Sequence, residues 1–385
     1  MNLIKNVQLT LGALAVAGLA ACGGGGDGGS GSLRLALTDA PACGYDAVNV
    51  TIEKLRVHQS GNAGDNDAGW SEIVLNPAKR VNLLNLTNGV LDELGQTPLP
   101  AGKYTQLRLV LADNSSANPL LNSVLPTGGT EVALKTPSGQ QSGVKTKINI
   151  DIAADKMADF VLDFDACKSV VVAGGSGQYL LKPVVSVIPR YVSGVAGFVD
   201  ASLITGYTSV SLQQNGAVVK ATVPDGTGKF LLQPVAPGSY TLVLTAPGRT
   251  TSVVTNVAVN TDTVTTLNAA TSALNPPASA SATVNGTAPV GTFVQVQQPL
   301  SAGPTVQLAG GFVDGVSGNY SHPLAVNAPL VAPYVAAPAP LVFAPDAAAA
   351  GHYTLKASLS GFADKTAVLP LLTANVTTVS NFTFP

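Results

Sequence analysis

Charge, aromatic rings and histidine are all scarce in this 385-residue chain, and each scarcity excludes something. Charged residues make up 11% and the formal net charge is −2. No stripe of Lys and Arg appears, so the electrostatic footprint of a nucleic-acid binder is missing. Aromatics are 5% with a single tryptophan, Trp70. Sugar sites usually need stacking platforms, so this counts against strong glycan binding. The three histidines, His58, His322 and His352, stand at no metal-ligand spacing. No Gly-x-Ser-x-Gly elbow supports a hydrolase reading. Cysteine is limited to Cys22, Cys43 and Cys167. Past the N-terminus, no apolar run reaches the roughly 20 residues that a membrane helix needs.

What is present begins at the N-terminus. Met1 to Asn6 carries one cation, Lys5, and Val7 to Ala17 is mostly apolar. That run has the length of a signal-peptide core. Leu19-Ala20-Ala21-Cys22 closes it and resembles the bacterial lipobox. The resemblance implies cleavage before Cys22 and acylation of its thiol and new amine, palmitate among the chains. Several buried chains, at about 0.8 kcal/mol per CH2, hold a protein firmly on a membrane. The alternative is a plain secretory signal with an incidental cysteine. Removing residues 1–21 takes one lysine away and leaves a charge of −3. Gly23 to Ser32 is glycine and serine with one aspartate, a flexible coil spanning roughly 15–20 Å. Gly23 after the cysteine, in place of Asp, favours the outer membrane by resemblance to lipoprotein sorting.

Short β-branched runs broken by Gly, Pro, Asn and Asp describe sandwiches rather than helical bundles. The expected fold class is all-β, with tandem Ig-like or prealbumin-like β-sandwiches after the signal peptide. Leu33, Leu35 and Leu37 alternate with polar residues, as do Ile148, Ile150 and Ile152, and Phe160, Leu162 and Phe164. Such alternation marks half-buried strands. Val48, Val50 and Ile52 change parity to Leu55 and Val57, which predicts a bulge near Glu53–Lys54. A short helix is expected over Asn88 to Leu94 with Gly95 as terminator. A final strand is expected over Tyr179 to Ile188, with Pro183 at an edge or bulge. Trp70 is expected to pack in the core at a strand start.

The stretches Leu37-Thr38-Asp39-Ala40-Pro41, Pro100-Ala101-Gly102-Lys103-Tyr104-Thr105 and Asp163-Phe164-Asp165-Ala166 carry a resemblance, as does Leu181-Lys182-Pro183. From Ser32 to about Tyr191 the chain resembles the bacterial domain of unknown function 4382, which implies a β domain and no activity. Val195-Ala196-Gly197, Asp225-Gly226-Thr227-Gly228-Lys229-Phe230 and Pro237-Gly238-Ser239-Tyr240-Thr241-Leu242 resemble carboxypeptidase regulatory-like, transthyretin-type sandwiches. Asp314 to Tyr320 and Gly351-His352-Tyr353-Thr354-Leu355 echo the last two motifs. The expected organisation is signal peptide 1–21, tether 22–31, first domain 32–191, second 192–270, linker 271–280 and a divergent repeat 281–385. Proline-rich Val326 to Ala350 is expected to form a long surface loop. Gly-x-Tyr-Thr, at Tyr104, Tyr240 and Tyr353, reads as one device: a strand led by a half-buried tyrosine whose hydroxyl finds a backbone partner.

The candidate sites are few. Cys22 is the lipidation site, which leaves Cys43 and Cys167 to pair in an oxidising compartment. Two buried free thiols are the alternative. A bridge across so long a loop adds about 4–5 kcal/mol on chain-entropy grounds. Asp163 and Asp165 share a strand face, with Lys147, Lys168 and Lys182 as candidate counter-ions, and Asp163, Asp165, Lys168 and Lys182 form a candidate polar cluster. Paired acids are the catalytic reading, and a structural ion-pair cluster is favoured. Asp65 and Asp67 lie in a turn that reads as solvated rather than as a Ca2+ loop. No catalytic residue, metal or cofactor is expected. The leading function is a non-catalytic cell-envelope lipoprotein that acts as a structural or adhesive binding protein. A carbohydrate-binding surface protein and an enzyme with an unrecognised site are the alternatives. The expected partners are the membrane, through the lipid, and an envelope protein or glycan.

Overall fold

The structure is a computed structural model and describes residues 29–40, 44–137, 143–204, 207–337 and 339–385. It is all-β, with three sandwich units in tandem. The first unit comprises β1 (Ser30–Ala40), β2 (Tyr45–His58), β3 (Ser71–Asn82), β4 (Asp92–Pro100), β5 (Gly102–Leu111), β6 (Ser123–Pro126), β7 (Val132–Lys135), β8 (Val144–Ile152), β9 (Met157–Asp165), α1 (Ala166–Ser169), β10 (Val170–Ala173), β11 (Gln178–Leu181) and β12 (Val185–Pro189). The second has β13 (Gly194–Phe198), β14 (Ser209–Gln214), β15 (Ala217–Thr222), β16 (Lys229–Leu232), β17 (Gly238–Thr245), β18 (Ser252–Val259) and β19 (Val264–Thr266). The third has β20 (Ser281–Thr287), β21 (Phe293–Pro299), β22 (Thr305–Phe312), β23 (Asn319–Ala325), β24 (Leu330–Pro333), β25 (Ala344–Pro345), β26 (Thr354–Ser358), β27 (Lys365–Val368) and β28 (Thr377–Val379).

In the first unit a four-stranded sheet, β12-β9-β1-β4, faces an eight-stranded one, β10-β11-β7-β6-β2-β5-β8, with β3 also paired to β2. Leu33, Leu35 and Leu37 from one sheet meet Val48, Val50 and Leu107 from the other in one core. The register of β2 shifts between Ile52 and Lys54 against both neighbours, so Glu53 is the bulged residue that the parity change requires. β1 and β9 run parallel, with Ala40 opposite Asp165. That register sets one end of the domain, where the polar cluster lies.

Three expectations give way. Residues 88–94 are not helical. Asn88 and Gly89 take φ of 57° and 75°, which stops the preceding 3-10 turn, and Asp92 begins β4. The stretch 179–188 is two strands. β11 belongs to the larger sheet and β12 to the smaller, and Pro183, which lacks a ladder donor, sits in the crossing. The segment from Val326 to Ala350 is not a loose loop. Its β24 pairs in parallel with β18, extending the second unit's sheet to β15-β14-β17-β18-β24-β25.

The three tyrosines are fully buried rather than half-buried. Tyr104 and Tyr240 donate to the carbonyls of Pro100 and Ala236, four residues upstream, at 3.2 and 2.8 Å. Tyr353 reaches Ala325 instead, because the corresponding carbonyl, that of Ala349, already accepts from Gln298 Nε2 at 2.9 Å.

The units are joined by polar contacts at sheet edges. Asn88 lies where Thr222 Oγ1 and the Leu231 amide, both of the second unit, reach its side chain at 3.1 Å. Gln213 uses both ends of its amide on Gln307 of β22, donating to its carbonyl at 2.7 Å and accepting from its N–H at 2.8 Å. Asp314 Oδ2 accepts from Gly174 N at 2.9 Å, while Gly315 N donates to Val172 on β10 at 3.0 Å. Hydrogen bonds to the carboxylate, that from the Ser317 amide foremost, draw the Asp314 carboxyl down to about 2.

Candidate functional site

The predicted polar cluster lies where β1 and β9 end, but its members go to different partners. Asp163, on β9 opposite Thr38, is buried. Its Oδ1 accepts from Lys220 Nζ of β15 at 2.6 Å, and the lysine side chain is 1% exposed. Asp165 caps α1. Its Oδ1 accepts from the Lys168 amide at 2.9 Å, and its Oδ2 pairs with Lys168 Nζ at 2.6 Å. Lys182 turns away, with Nζ 5.4 Å from the centroid of the Phe312 ring in the third unit. Asp163, Asp165 and Lys182 therefore do not face one cleft as a catalytic group would.

Asp39 belongs to this cluster and was not singled out from sequence. It is fully buried beside Asp163, and its Oδ1 accepts from the Ala166 amide at 2.9 Å. Its Oδ2 is buried without a hydrogen-bond partner. Burial pushes the Asp39 carboxyl well above its ordinary 3.8, against the opposing pull of the Ala166 amide. Asp165 and Asp163 push it further up and Lys220 pulls it down. The arrangement is a docking socket, with two buried acids around an incoming ammonium. Burial of an ion is costly unless it is paired and hydrogen-bonded, so the socket and its lysine are committed to each other.

Cys167 lies on α1, two residues after Asp165, whereas Cys22 and Cys43 lie outside the described residues. Trp70 is only partly buried. The guanidinium carbons of Arg56 and Arg108 each lie 4.5 Å from its ring centroid, and His58 lies 5.0 Å away. Trp70 thus packs against two guanidinium groups, one of them fully buried, rather than in the apolar core. Its Nε1 donates to Gly64 at 2.9 Å. Asp65 pairs with the buried Arg108, and that hydrogen bond first of all draws its carboxyl down. Asp67 accepts from the Gly64 amide at 2.8 Å. Both acids of the turn are therefore engaged within the protein. Among the described residues, no three His, Cys, Asp or Glu side chains group as metal ligands would. His322 is half-buried, and desolvation of its ring draws it down to about 4.

Residues 30–183 match the family profile of a domain of unknown function, DUF4382. The first unit is a DUF4382 domain. No curated protein matches the chain. Among solved structures, a cohesin and X-dockerin complex from Acetivibrio cellulolyticus is 23% identical, with 22% of this chain and 58% of that one covered at a TM-score of 0.19. The Bacillus anthracis TIE protein is 12% identical, with 93% and 51% covered and a TM-score of 0.19. A Ca2+-stabilised adhesin with which an Antarctic bacterium binds ice is 13% identical, with 90% and 74% covered and a TM-score of 0.12. The chain thus spans 58% and 51% of the first two. Likenesses of this grade fix neither fold nor role. The DUF4382 match ends at Lys182–Pro183, so it takes in the whole socket and excludes Lys220.

Two outcomes test the socket. Lys220→Met removes the ammonium and strands the buried Asp163 carboxylate, so urea unfolding should show a loss of about 3–5 kcal/mol. The double variant Lys220→Met with Asp163→Leu should recover most of that loss. A single variant as stable as wild type would show the pair to be unimportant. Asp39→Asn tests the raised carboxyl. A folded-state value above the unfolded one means that stability is full below about pH 3.8 and falls as the pH rises. Asparagine keeps the Ala166 contact and takes up no proton. The variant's stability relative to wild type should therefore rise from pH 3.5 to pH 8, and a flat difference across that range would contradict a protonated Asp39.

Proposed function

We propose that this protein is a lipid-anchored, non-catalytic structural or adhesive binding protein of the cell envelope, held in the outer membrane through Cys22. The observation that carries the reading is Leu19-Ala20-Ala21-Cys22 followed at once by a glycine-rich tether. The architecture supports it. β1 starts at Ser30, so the tether runs directly into the central pair of the first domain's smaller sheet. Two of the cluster's four ionisable groups, Asp163 and Lys182, reach side chains of the other units, which suits a protein that bears load or presents surfaces. The second and third units fit the carboxypeptidase regulatory-like reading, because both place a three-stranded sheet against a longer one with the same strand sequence. A disulfide between Cys43 and Cys167 belongs to the same proposal. β1 leaves the sheet at Ala40 opposite Asp165, three residues before Cys43 and two before Cys167.

Acylation is tested by metabolic labelling with an acyl-chain analogue. The wild type should incorporate label and fractionate with the outer membrane, while Cys22→Ala should lose both properties. Equal labelling of the two proteins would refute the anchor. The bridge is tested on exported protein without reductant. Cys167 should resist alkylation in wild type and become alkylatable in Cys43→Ser, with a lower melting midpoint under oxidising conditions. Alkylation of both thiols in unreduced wild type would rule the bridge out.

A further inference from the structure

The second and third units share seven strands, and their β17–β18 and β26–β27 ladders align over the four residues that matter here. Leu242, Val243 and Leu244 of β17 face Val254, Val253 and Ser252 of β18. Leu355, Lys356 and Ala357 of β26 face Ala367, Thr366 and Lys365 of β27. Lys365–Val368 is therefore the counterpart of Ser252–Thr255. Those four residues of β18 are the ones that carry β24, in parallel, from Ser252 opposite Leu330 to Thr255 opposite Pro333. Leu330 N donates to the Thr251 carbonyl and Tyr334 N to the Thr255 carbonyl, both at 2.8 Å. Among the described residues no strand lies on the outer edge of β27.

The side chains tell the same story. Tyr334 packs on the second core, and its hydroxyl reaches the Thr266 carbonyl at 3.5 Å. Gly197 opposite Phe230 corresponds to Gly286 opposite Tyr320, which makes Val379 the counterpart of Thr266 and Val368 the counterpart of Thr255. Val368 is 83% exposed and Val379 is 65% exposed. Two valines thus stand in water at the level where the second unit is covered by a tyrosine. Sheets commonly blunt an open edge with charge and short strands. Lys365 does so at one end of β27, but Val368 works against it at the other.

We infer that the outer edge of β27 binds an extended, uncharged segment of another protein chain, added as a parallel strand with an apolar side chain resting on Val368 and Val379. Main-chain bonds supply the attachment, and the two valines select the apolar side chain just beyond the added strand. A second copy of this chain would have to strip its own Leu330–Pro333 from β18 first, so the occupant is a different protein. This gives the binding-protein reading a site, while acylation at Cys22 stands or falls separately.

The probe is a labelled peptide of this chain's residues 328–335, Ala-Pro-Leu-Val-Ala-Pro-Tyr-Val, titrated into the full-length chain and read by fluorescence anisotropy. By the parity of Leu330 and Tyr334, the Ala332 amide faces the sheet and the Val331 amide faces away. One saturable site is expected. N-methylation at Ala332 should weaken binding at least tenfold, about 1.4 kcal/mol, and N-methylation at Val331 should not. Thr366→Pro removes an outward amide without costing a ladder bond, and Val368→Asp charges the apolar rest. Each should also weaken binding at least tenfold with the circular dichroism unchanged. No saturation at millimolar peptide, or equal losses from the two methylations, overturns the site. Binding that survives both protein variants means that the peptide is exchanging into β18, and overturns it too.

Discussion

Burying Lys220 against Asp163 commits the second unit to one position on the first. An ammonium and a carboxylate taken out of water lose hydration worth several kcal/mol each, and a good pair roughly returns what was lost. The pair therefore contributes specificity more than net stability. Two apolar sheet faces would tolerate sliding by a residue or more, because contact area changes little with register. An ion pair at 2.6 Å has one register. Asp39 sharpens the requirement. Lys220 balances the buried Asp163, Lys168 balances Asp165 separately, and burial pushes the third carboxyl, Asp39, toward its uncharged form. Ionising Asp39 would put a second negative charge beside one lysine.

A second constraint runs through the whole chain. Every sheet of three to eight strands has two edges, and each edge offers unpaired amides and carbonyls. The contacts between units fall largely on these edges. The Asp314–Gly315 turn serves β10 with one acceptor and one donor, as a strand would. Gln213 does the same for β22 with a side-chain amide, which has the peptide group's donor and acceptor in the same plane. β24 does it for β18 with a true strand. Three chemically different groups meet one requirement, and that requirement fixes where the units touch.

Alternation in the sequence foretold the strands around Leu33–Leu37, Ile148–Ile152 and Phe160–Phe164, and a parity change located the Glu53 bulge. These features depend on residues a few positions apart, where period-2 burial is visible directly. Lys220 was not legible. In Ala217-Val218-Val219-Lys220-Ala221-Thr222 it reads as a solvent-facing position, and only the arrival of another unit buries it. Asp39 and Asp163 were visible as acids, but which cation would meet them was a matter of tertiary distance. The 88–94 misreading has the opposite cause. Three apolar residues before Gly95 suggest a capped turn, while Asn88 takes αL backbone and gives its side-chain oxygen to the second unit. The 326–350 segment misled because proline marks loops in isolation. A short strand that borrows its ladder from another unit's sheet needs no local pattern of its own.

The two echoed turns show how a repeat acquires different roles while keeping the same capping contacts. Asp225 Oδ1 accepts from the Thr227 amide and hydroxyl, as Asp314 Oδ1 accepts from those of Ser317. Gly228 and Gly318 take φ of 81° and 70°. A Cβ at either would meet the carbonyl of Val199 or Ala288 at 2.2 Å, so both positions demand glycine for the same reason. The Asp314 turn is one residue longer, and the two differ in what lies outside them. Asp314 spends its second oxygen on the first unit, while the Asp225 turn is exposed. The same logic separates β18 from β27: four matching residues on the inner ladder, a covered edge in one and an exposed valine in the other. Position in the chain, rather than local sequence, decides which face of each repeat is spent on its neighbour and which is left for something else.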